Sequence, residues 1–433
     1  MKTNQIFTPS QPAKITFIDR STVNDQLVDA LYTPGKQIAV YGYSGSGKTT
    51  LVRNKLDQVY ERYIYSQCMK GTTIENLLLD AFDQLDPYYT SEKNNKISNS
   101  IGGDISAKYL NISLALKANS SEENSGKKER IIPPQLTAQN LAKFIGAVNA
   151  CWVIDDFHKV EDEEKEKIAQ LMKLFKDTSF EFPDTKIIVI GAVETAREIV
   201  DYDDELFERL EQIHVPLMSQ RELSEIINKG SFLLNIEFTK ELKNKIVSLS
   251  GSLGAVCHQL CLNMCLSKGI YGKQRKKIVF TEEDLRVAVE KYVHSKSGTM
   301  KGVFDEAVNV ERTRKYKNNK IILKALVNLG KESASHSEIL SKIREVYQDY
   351  PSSNLTTYLK NLSDSKNDDA MLYLDEKSKE YSIRNPFFKV YATMRFSQED
   401  GLKEDVKISI NKNVVSGSIS AGGNIHIGDI SYE

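Results

Sequence analysis

The sequence predicts an α/β fold: a parallel sheet with helices on both faces. Three observations carry that reading. Short, wholly apolar runs have the length of buried strands. Amphipathic stretches with helical spacing separate them, and the two types alternate along the chain. Gln37 to Tyr41 (QIAVY) is the first such run and ends at a glycine. From about Thr49 to Arg62, Leu51, Leu56 and Val59 recur at helical spacing. Arg62 to Ser66 reads as a second strand, and Thr73 to Leu85 as a helix with Leu77, Leu78, Ala81 and Phe82 on one side. Ala150 to Ile154 and Lys186 to Gly191 are further strands, each followed by a helical stretch.

A chain of 433 residues can bury a large core divided among two or three domains. Lys and Arg (58) almost cancel Asp and Glu (59), which does not mark a general nucleic-acid binder. No apolar run approaches the roughly 20 residues that span a bilayer, so no membrane partner is expected. Met1 to Pro12 is polar and lacks a secretory apolar core, which makes the cytoplasm the expected compartment. Five cysteines are too few and too scattered for a disulfide framework. Cys257, Cys261 and Cys265 recur every four residues around His258, either as metal ligands or as one helix face of small buried thiols.

The order of elements divides the chain into a core over 1–218, a helical lid over 219–295, a polar, basic linker over 296–320, a fourth segment over 321–396 and a tail over 397–433. Within the core, residues 96–117 alternate apolar and polar around Gly102-Gly103-Asp104 and read as an inserted β-hairpin. Asn119 to Lys128 is polar and reads as mobile. Pro133-Pro134 and Thr137 then restart the fold with a helix-capping signal. The fourth segment carries three helix candidates followed by the strand candidates Met371–Asp375 and Glu380–Arg384, the pattern of a winged helix. The tail from Val406 is rich in Gly and alternating Ile/Val. It reads as short β-strands, as a disordered segment that becomes a strand against a partner, or as a flexible end.

One motif carries chemistry of its own. Gly42-Tyr43-Ser44-Gly45-Ser46-Gly47-Lys48-Thr49 fits G-x-x-x-x-G-K-[ST], preceded by a strand and followed by a helix. Glycines let main-chain N–H groups turn inward around a polyphosphate, and the helix start faces the anion with its positive end. Lys48 would reach the β- and γ-phosphates, the Thr49 hydroxyl would ligate Mg²⁺, and Thr50 continues the site. Cys151 to Asp156 (CWVIDD) is an apolar strand ending in two acids. Asp155 would hold the Mg²⁺ shell, and Asp156 would orient or deprotonate an attacking water. The expected cofactors are ATP and Mg²⁺.

Together these features resemble the AAA+ and STAND branches of P-loop ATPases, especially Orc/Cdc6-type ATPases with a C-terminal winged helix, over about residues 15 to 395. Phe17-Ile18-Asp19-Arg20 resembles the family segment that packs near the adenine, which puts Asp19 and Arg20 among the expected cofactor-binding residues. Leu206 to Leu217 resembles the stretch that carries an arginine into the lid. The resemblance makes Arg209 a candidate finger or phosphate sensor, in cis or across a subunit boundary; the alternative is a surface arginine paired with Glu205 or Glu208. Tyr381 to Tyr391 resembles the end of the family's winged helix.

There are departures. Asp156 stands where fast hydrolases of the family carry Glu. The strand ending at Gly191 lacks the expected Asn, leaving Glu194 or Thr195 near its tip. Gly251 to His258 lacks the lid's sensor arginine, with His258 near that position as a nucleotide contact or a core histidine. The resemblance implies a nucleotide-controlled switch that oligomerises and engages a protein effector through the winged helix or the tail, in bacterial signalling or defence. Two alternatives stand beside it. One is a DNA-binding ATPase with Ser352 to Leu362 as recognition helix and basic runs at Arg312 to Lys317 and Arg275 to Lys277. The other is a nucleotide-binding scaffold without turnover.

Overall fold

A computed structural model describes residues 1–85, 137–192, 199, 202, 206, 208–308, 315–331, 333–363, 371–375 and 377–410, the last ten as backbone alone. The expected hairpin at 96–117, the stretch at 119–128, Glu194, Thr195 and the tail beyond 410 lie outside the described residues. Two compact units divide at Ala288/Val289.

The first unit is built on five strands: β1 (Gln37–Tyr41), β2 (Tyr63–Gln67), β3 (Cys151–Asp155), β4 (Lys186–Gly191) and β5 (Leu210–His214). They pair in parallel in the order β2-β3-β4-β1-β5. Successive side chains leave opposite faces of a strand, so each run feeds two cores. Cys151 and Val153 join Ile38, Val40, Ile188 and Ile190 on one face, under α2 (Ser21–Tyr32) and α3 (Lys48–Val59). Trp152 and Ile154 join Ile64, Ile187 and Val189 on the other, under α4 (Ile74–Leu85), α5 (Ala138–Ala147) and α6 (Asp162–Thr178). Both faces are covered, which is why the strands read as unbroken apolar runs. Thr137 caps α5 by accepting the Asn140 amide.

The sequence reading placed no strand at 210–214. β5 is an edge strand, and of its five residues only Leu210 and Ile213 are buried, too few for a clear pattern. The region after Ser219 is largely helical, with α7 (Gln220–Leu234), α8 (Lys240–Leu249), α9 (Gly254–Ser267) and α10 (Glu282–Lys296). Two three-residue strands, β6 (Ile236–Phe238) and β7 (Ile278–Phe280), pair in parallel within it. The cysteine stripe at 257, 261 and 265 lies buried on α9 as free thiols. The first seventeen residues attach to these helices, beginning with the short α1 (Thr3–Ile6). The Thr3 hydroxyl donates to Ile270 O at 2.9 Å and the Lys229 ammonium to Phe17 O at 2.8 Å.

In the second unit the expected linker is largely ordered as helix. A π-helical turn at Ser297–Lys301 continues into α11 (Gly302–Val308), whose buried Phe304 meets the rings of Phe388, Tyr391 and Phe396. Three helices follow, α12 (Asn318–Asn328), α13 (His336–Arg344) and α14 (Ser352–Leu362). A three-stranded antiparallel sheet of β8 (Ser333–Ser335), β9 (Leu372–Asp375) and β10 (Glu380–Ile383) runs in the order β8-β10-β9. Asn385 caps α15 (Pro386–Ile410) by accepting the amides of Phe387 and Phe388, with proline at the first helical position. This helix takes in the first fourteen residues of the expected tail, 397–410, which carry a single glycine, Gly401. No helix among the described residues is long and apolar enough to cross a membrane.

Gly230 shows how tightly the N-terminal segment is seated. A Cβ there would lie 2.3 Å from Cζ of Phe7, whose ring is fully buried. Gly230→Ala should therefore lose about 1–3 kcal/mol of stability to overpacking, offset in part by alanine's better helix propensity. Adding Phe7→Leu should recover part of the loss. Urea unfolding of the two variants checks both outcomes.

Candidate nucleotide site

The motif glycines meet specific backbone demands where β1 leaves the sheet. Gly42 has φ 149°, and a Cβ on it would stand 2.4 Å from the carbonyl oxygen of Val215. Gly47 caps α3 in the left-handed region at φ 94°. Between them the chain forms a loop whose last turn becomes α3, so the helix's free N–H groups face the space the loop encloses. Lys48 donates to the carbonyls of Gly42 and Tyr43, both at 2.9 Å. Burial lowers the Lys48 pKa, opposed by the charges of Asp155 and Asp156. The Ser46 hydroxyl is buried without a partner among the described residues.

Parallel register brings the C-terminal ends of β1, β3 and β4 to one edge of the sheet, the usual place for a ligand crevice. Thr49 Oγ1 donates to Asp155 Oδ2 at 2.8 Å, and the Tyr65 hydroxyl donates to the same oxygen. The Tyr65 phenol is raised by burial and by that carboxylate, so it stays protonated. Asp155 Oδ1 accepts the Asp156 amide at 2.7 Å. Asp156 itself is left-handed, with φ 61°, a conformation aspartate tolerates better than most residues. Its carboxylate accepts Lys159 Nζ at 2.7 Å and Gln67 Nε2 at 3.1 Å. Burial alone would raise the Asp156 pKa, but these two hydrogen bonds and the Lys159 charge outweigh it and hold it below the ordinary value.

A cavity of about 540 Å³ takes in Gly42, Ser44 to Leu51, Asp155 and Asp156. The residues present fit a Mg²⁺-bound polyphosphate. Inward N–H groups and an ammonium suit the phosphates, a hydroxyl beside a carboxylate suits a hard cation, and the orphaned Ser46 hydroxyl offers one more polar contact. The lining also includes residues to which the sequence assigned no role: Thr8 to Ala13, Met218, Ile226, Gly254 and Ala255, with His158 and Lys159 after the acids. Only the prolines at 9 and 12 hint at the extended course of the N-terminal segment.

The remaining expected residues fall in different places. Arg20 lines the cavity and is nearly buried. Its guanidinium donates to Glu222 at 2.8 Å, Ser46 O at 3.2 Å, Pro216 O at 2.8 Å and Leu217 O at 3.3 Å, joining the phosphate loop to the start of α7. Asp19 is exposed and pairs with Lys55 at 3.8 Å, and it is not among the residues lining the cavity. His258 lines the cavity from α9, with its Nδ1 accepting the Thr8 amide at 3.2 Å. Arg209 is not brought to the loop. Its carbonyl accepts the Gln37 amide, which puts it at the N-terminal end of β1. The five residues of β1, at about 3.3 Å each, hold it on the order of 17 Å from the phosphate edge, so contact in cis is ruled out.

Comparison with known proteins agrees with this geometry. Residues 33–200 match the family model described as an AAA domain. The match covers this stretch alone. It spans β1 to β4, and with them the loop, Asp155 and Asp156. No curated protein matches the sequence. Among solved structures, the Walker-type ATPase of Pyrococcus abyssi aligns over 90% of this chain and 99% of that one, at 15% identity and a TM-score of 0.51. That likeness extends the common fold beyond the AAA domain. Cdc6p of Pyrobaculum aerophilum aligns over 92% and 98% at 12% identity and a TM-score of 0.43. The ORC2 protein of Aeropyrum pernix aligns over 92% and 98% at 13% identity and 0.45.

Two predictions follow from the cavity walls. Arg20→Met leaves Glu222, whose side chain is 21% exposed, without its cation, and should cost on the order of 3 kcal/mol. A double-mutant cycle with Glu222→Gln, followed by urea unfolding, should show coupling above 0.5 kcal/mol. His258 gives a pH dependence. Burial lowers its folded pKa to about 4, whereas an unfolded histidine titrates near 6.5. Between those values the unfolded chain binds the extra proton, so stability should fall as pH drops from about 6.5 to about 4, by about 3 kcal/mol. His258→Phe should flatten that limb of the stability profile.

Proposed function

We propose that the chain is an ATP-binding switch of the AAA+/STAND kind that hydrolyses ATP slowly. The observation that carries this reading is the hydrogen bond from Thr49 to Asp155 beside a loop closed by Lys48. Thr49 and Asp155 would hold Mg²⁺, which when bound would draw charge from the β- and γ-phosphate oxygens. Lys48 would exchange its two loop carbonyls for phosphate oxygens. Asp156 would receive a proton from the water that attacks the γ-phosphorus while the bond to the β-phosphate oxygen breaks. Lys159 and Gln67 occupy that carboxylate and make it a weaker base, which favours slow turnover.

Arg209, far from its own loop, would serve only a neighbouring subunit's phosphates. The reading therefore includes a homo-oligomer, with the helices after Ser219 as lid and the second unit as a winged helix that meets a protein effector, in a signalling or defence setting. Duplex DNA is the less favoured partner, because α14 carries one cation, Lys360. The test combines size-exclusion chromatography with light scattering in ATP, ADP and no nucleotide, and phosphate release. Lys48→Ala should abolish nucleotide binding. Asp156→Asn should keep binding and lose at least about 100-fold in phosphate release. Assembly indifferent to nucleotide would refute the switch.

A further inference from the structure

We infer that His258 recognises a purine base through its Nε2–H, held as a donor by the main chain at Thr8. This rests on the nucleotide reading of the cavity. The Thr8 amide can only donate, so His258 Nδ1, at 3.2 Å, must be the unprotonated nitrogen. The neutral ring carries one proton, which therefore sits on Nε2. Nε2 makes no hydrogen bond to any described residue, and the ring, 4% exposed, forms part of the cavity wall. On the cavity wall, that donor is open to an acceptor on a ligand that enters. Thr8 Oγ1, in the same wall, is likewise buried without a partner.

Two histidines line the cavity. The charges of Asp156, Lys159, Lys48 and Asp155 act on His158. His258 stands on α9 against Thr8 of the N-terminal segment, whereas His158 follows Asp156 directly. Phe17, Ile18, Met218 and Ile226 line that cavity too and suit a flat aromatic ring. An acceptor that matches an imidazole N–H in apolar surroundings is a ring nitrogen lone pair, which adenine carries at N1, N3 and N7.

Binding calorimetry on the full chain with Mg²⁺ tests the assignment, using ADP and its 1-deaza, 3-deaza and 7-deaza analogues. One analogue should bind about 10-fold or more weakly than ADP, the loss of one good hydrogen bond. His258→Phe should lose the same factor for ADP and should no longer distinguish ADP from that analogue. Three analogues that bind wild type like ADP would overturn the inference without any variant, and so would undiminished ADP affinity in a folded His258→Phe protein. ADP binding abolished by Lys48→Ala keeps the phosphate reading standing in either case. Absence of ADP binding by wild type would overturn both readings.

Discussion

One buried guanidinium joins the parts of this site. Arg20 donates to the phosphate loop at Ser46, to the carbonyls of Pro216 and Leu217 after β5, and to Glu222 in the first turn of α7. A charge so nearly enclosed is tolerable only when its donors are matched, and the acceptors here come from the phosphate loop, the turn after β5 and the start of α7. Glu222 is fixed in turn. It accepts the Ser219 amide at 2.6 Å, while Ser219 Oγ accepts the Glu222 amide, a reciprocal cap at the N-terminus of α7. The loop and the helix therefore cannot move independently without stranding a charge. Arg20 thus links the loop directly to the first turn of α7.

The sheet places the chemistry and the N-terminal segment completes the enclosure. Parallel pairing puts the end of β1 beside β4, and β4 beside β3, so the loop and the paired acids share one edge by register alone. Opposite them, Phe7 packs on Gly230 and Thr8 binds His258. Residues 8–13 thus become part of a cavity that also takes in the phosphate loop from Gly42. A ligand spanning the cavity would touch the sheet edge, the N-terminal segment and α9 together.

How much of this could be read in advance follows from where each group finds its partners. The phosphate loop was legible because its chemistry needs contiguous residues, and Asp155 and Asp156 because a buried strand announces its own end. The role of Arg20 was not, since its acceptors lie 26 to 202 positions away. The cis role for Arg209 was not excluded by its place before the lid helices: chain proximity to α7 says nothing about which end of the sheet a turn occupies, and this turn occupies the far one. β5 escaped notice as an edge strand with two buried residues. Thr8 has no periodicity around it and acts through its amide, which every residue but proline shares.

The surroundings of Asp156 constrain the proposed chemistry most closely. A general base works best when its pKa lies near the working pH. Burial pushes Asp156 in that direction, yet Lys159 and Gln67 reverse it and leave a carboxylate that is charged, hydrogen-bonded and reluctant to take a proton. The left-handed backbone at Asp156 and the hydrogen bond from its amide to Asp155 limit how far the side chain can swing away from these partners. Asp is also one methylene shorter than the Glu that fast relatives are expected to carry. Reach and basicity therefore act in the same direction. The proposed slow turnover would rest on the contacts of this one side chain, whatever the lid or the second unit does.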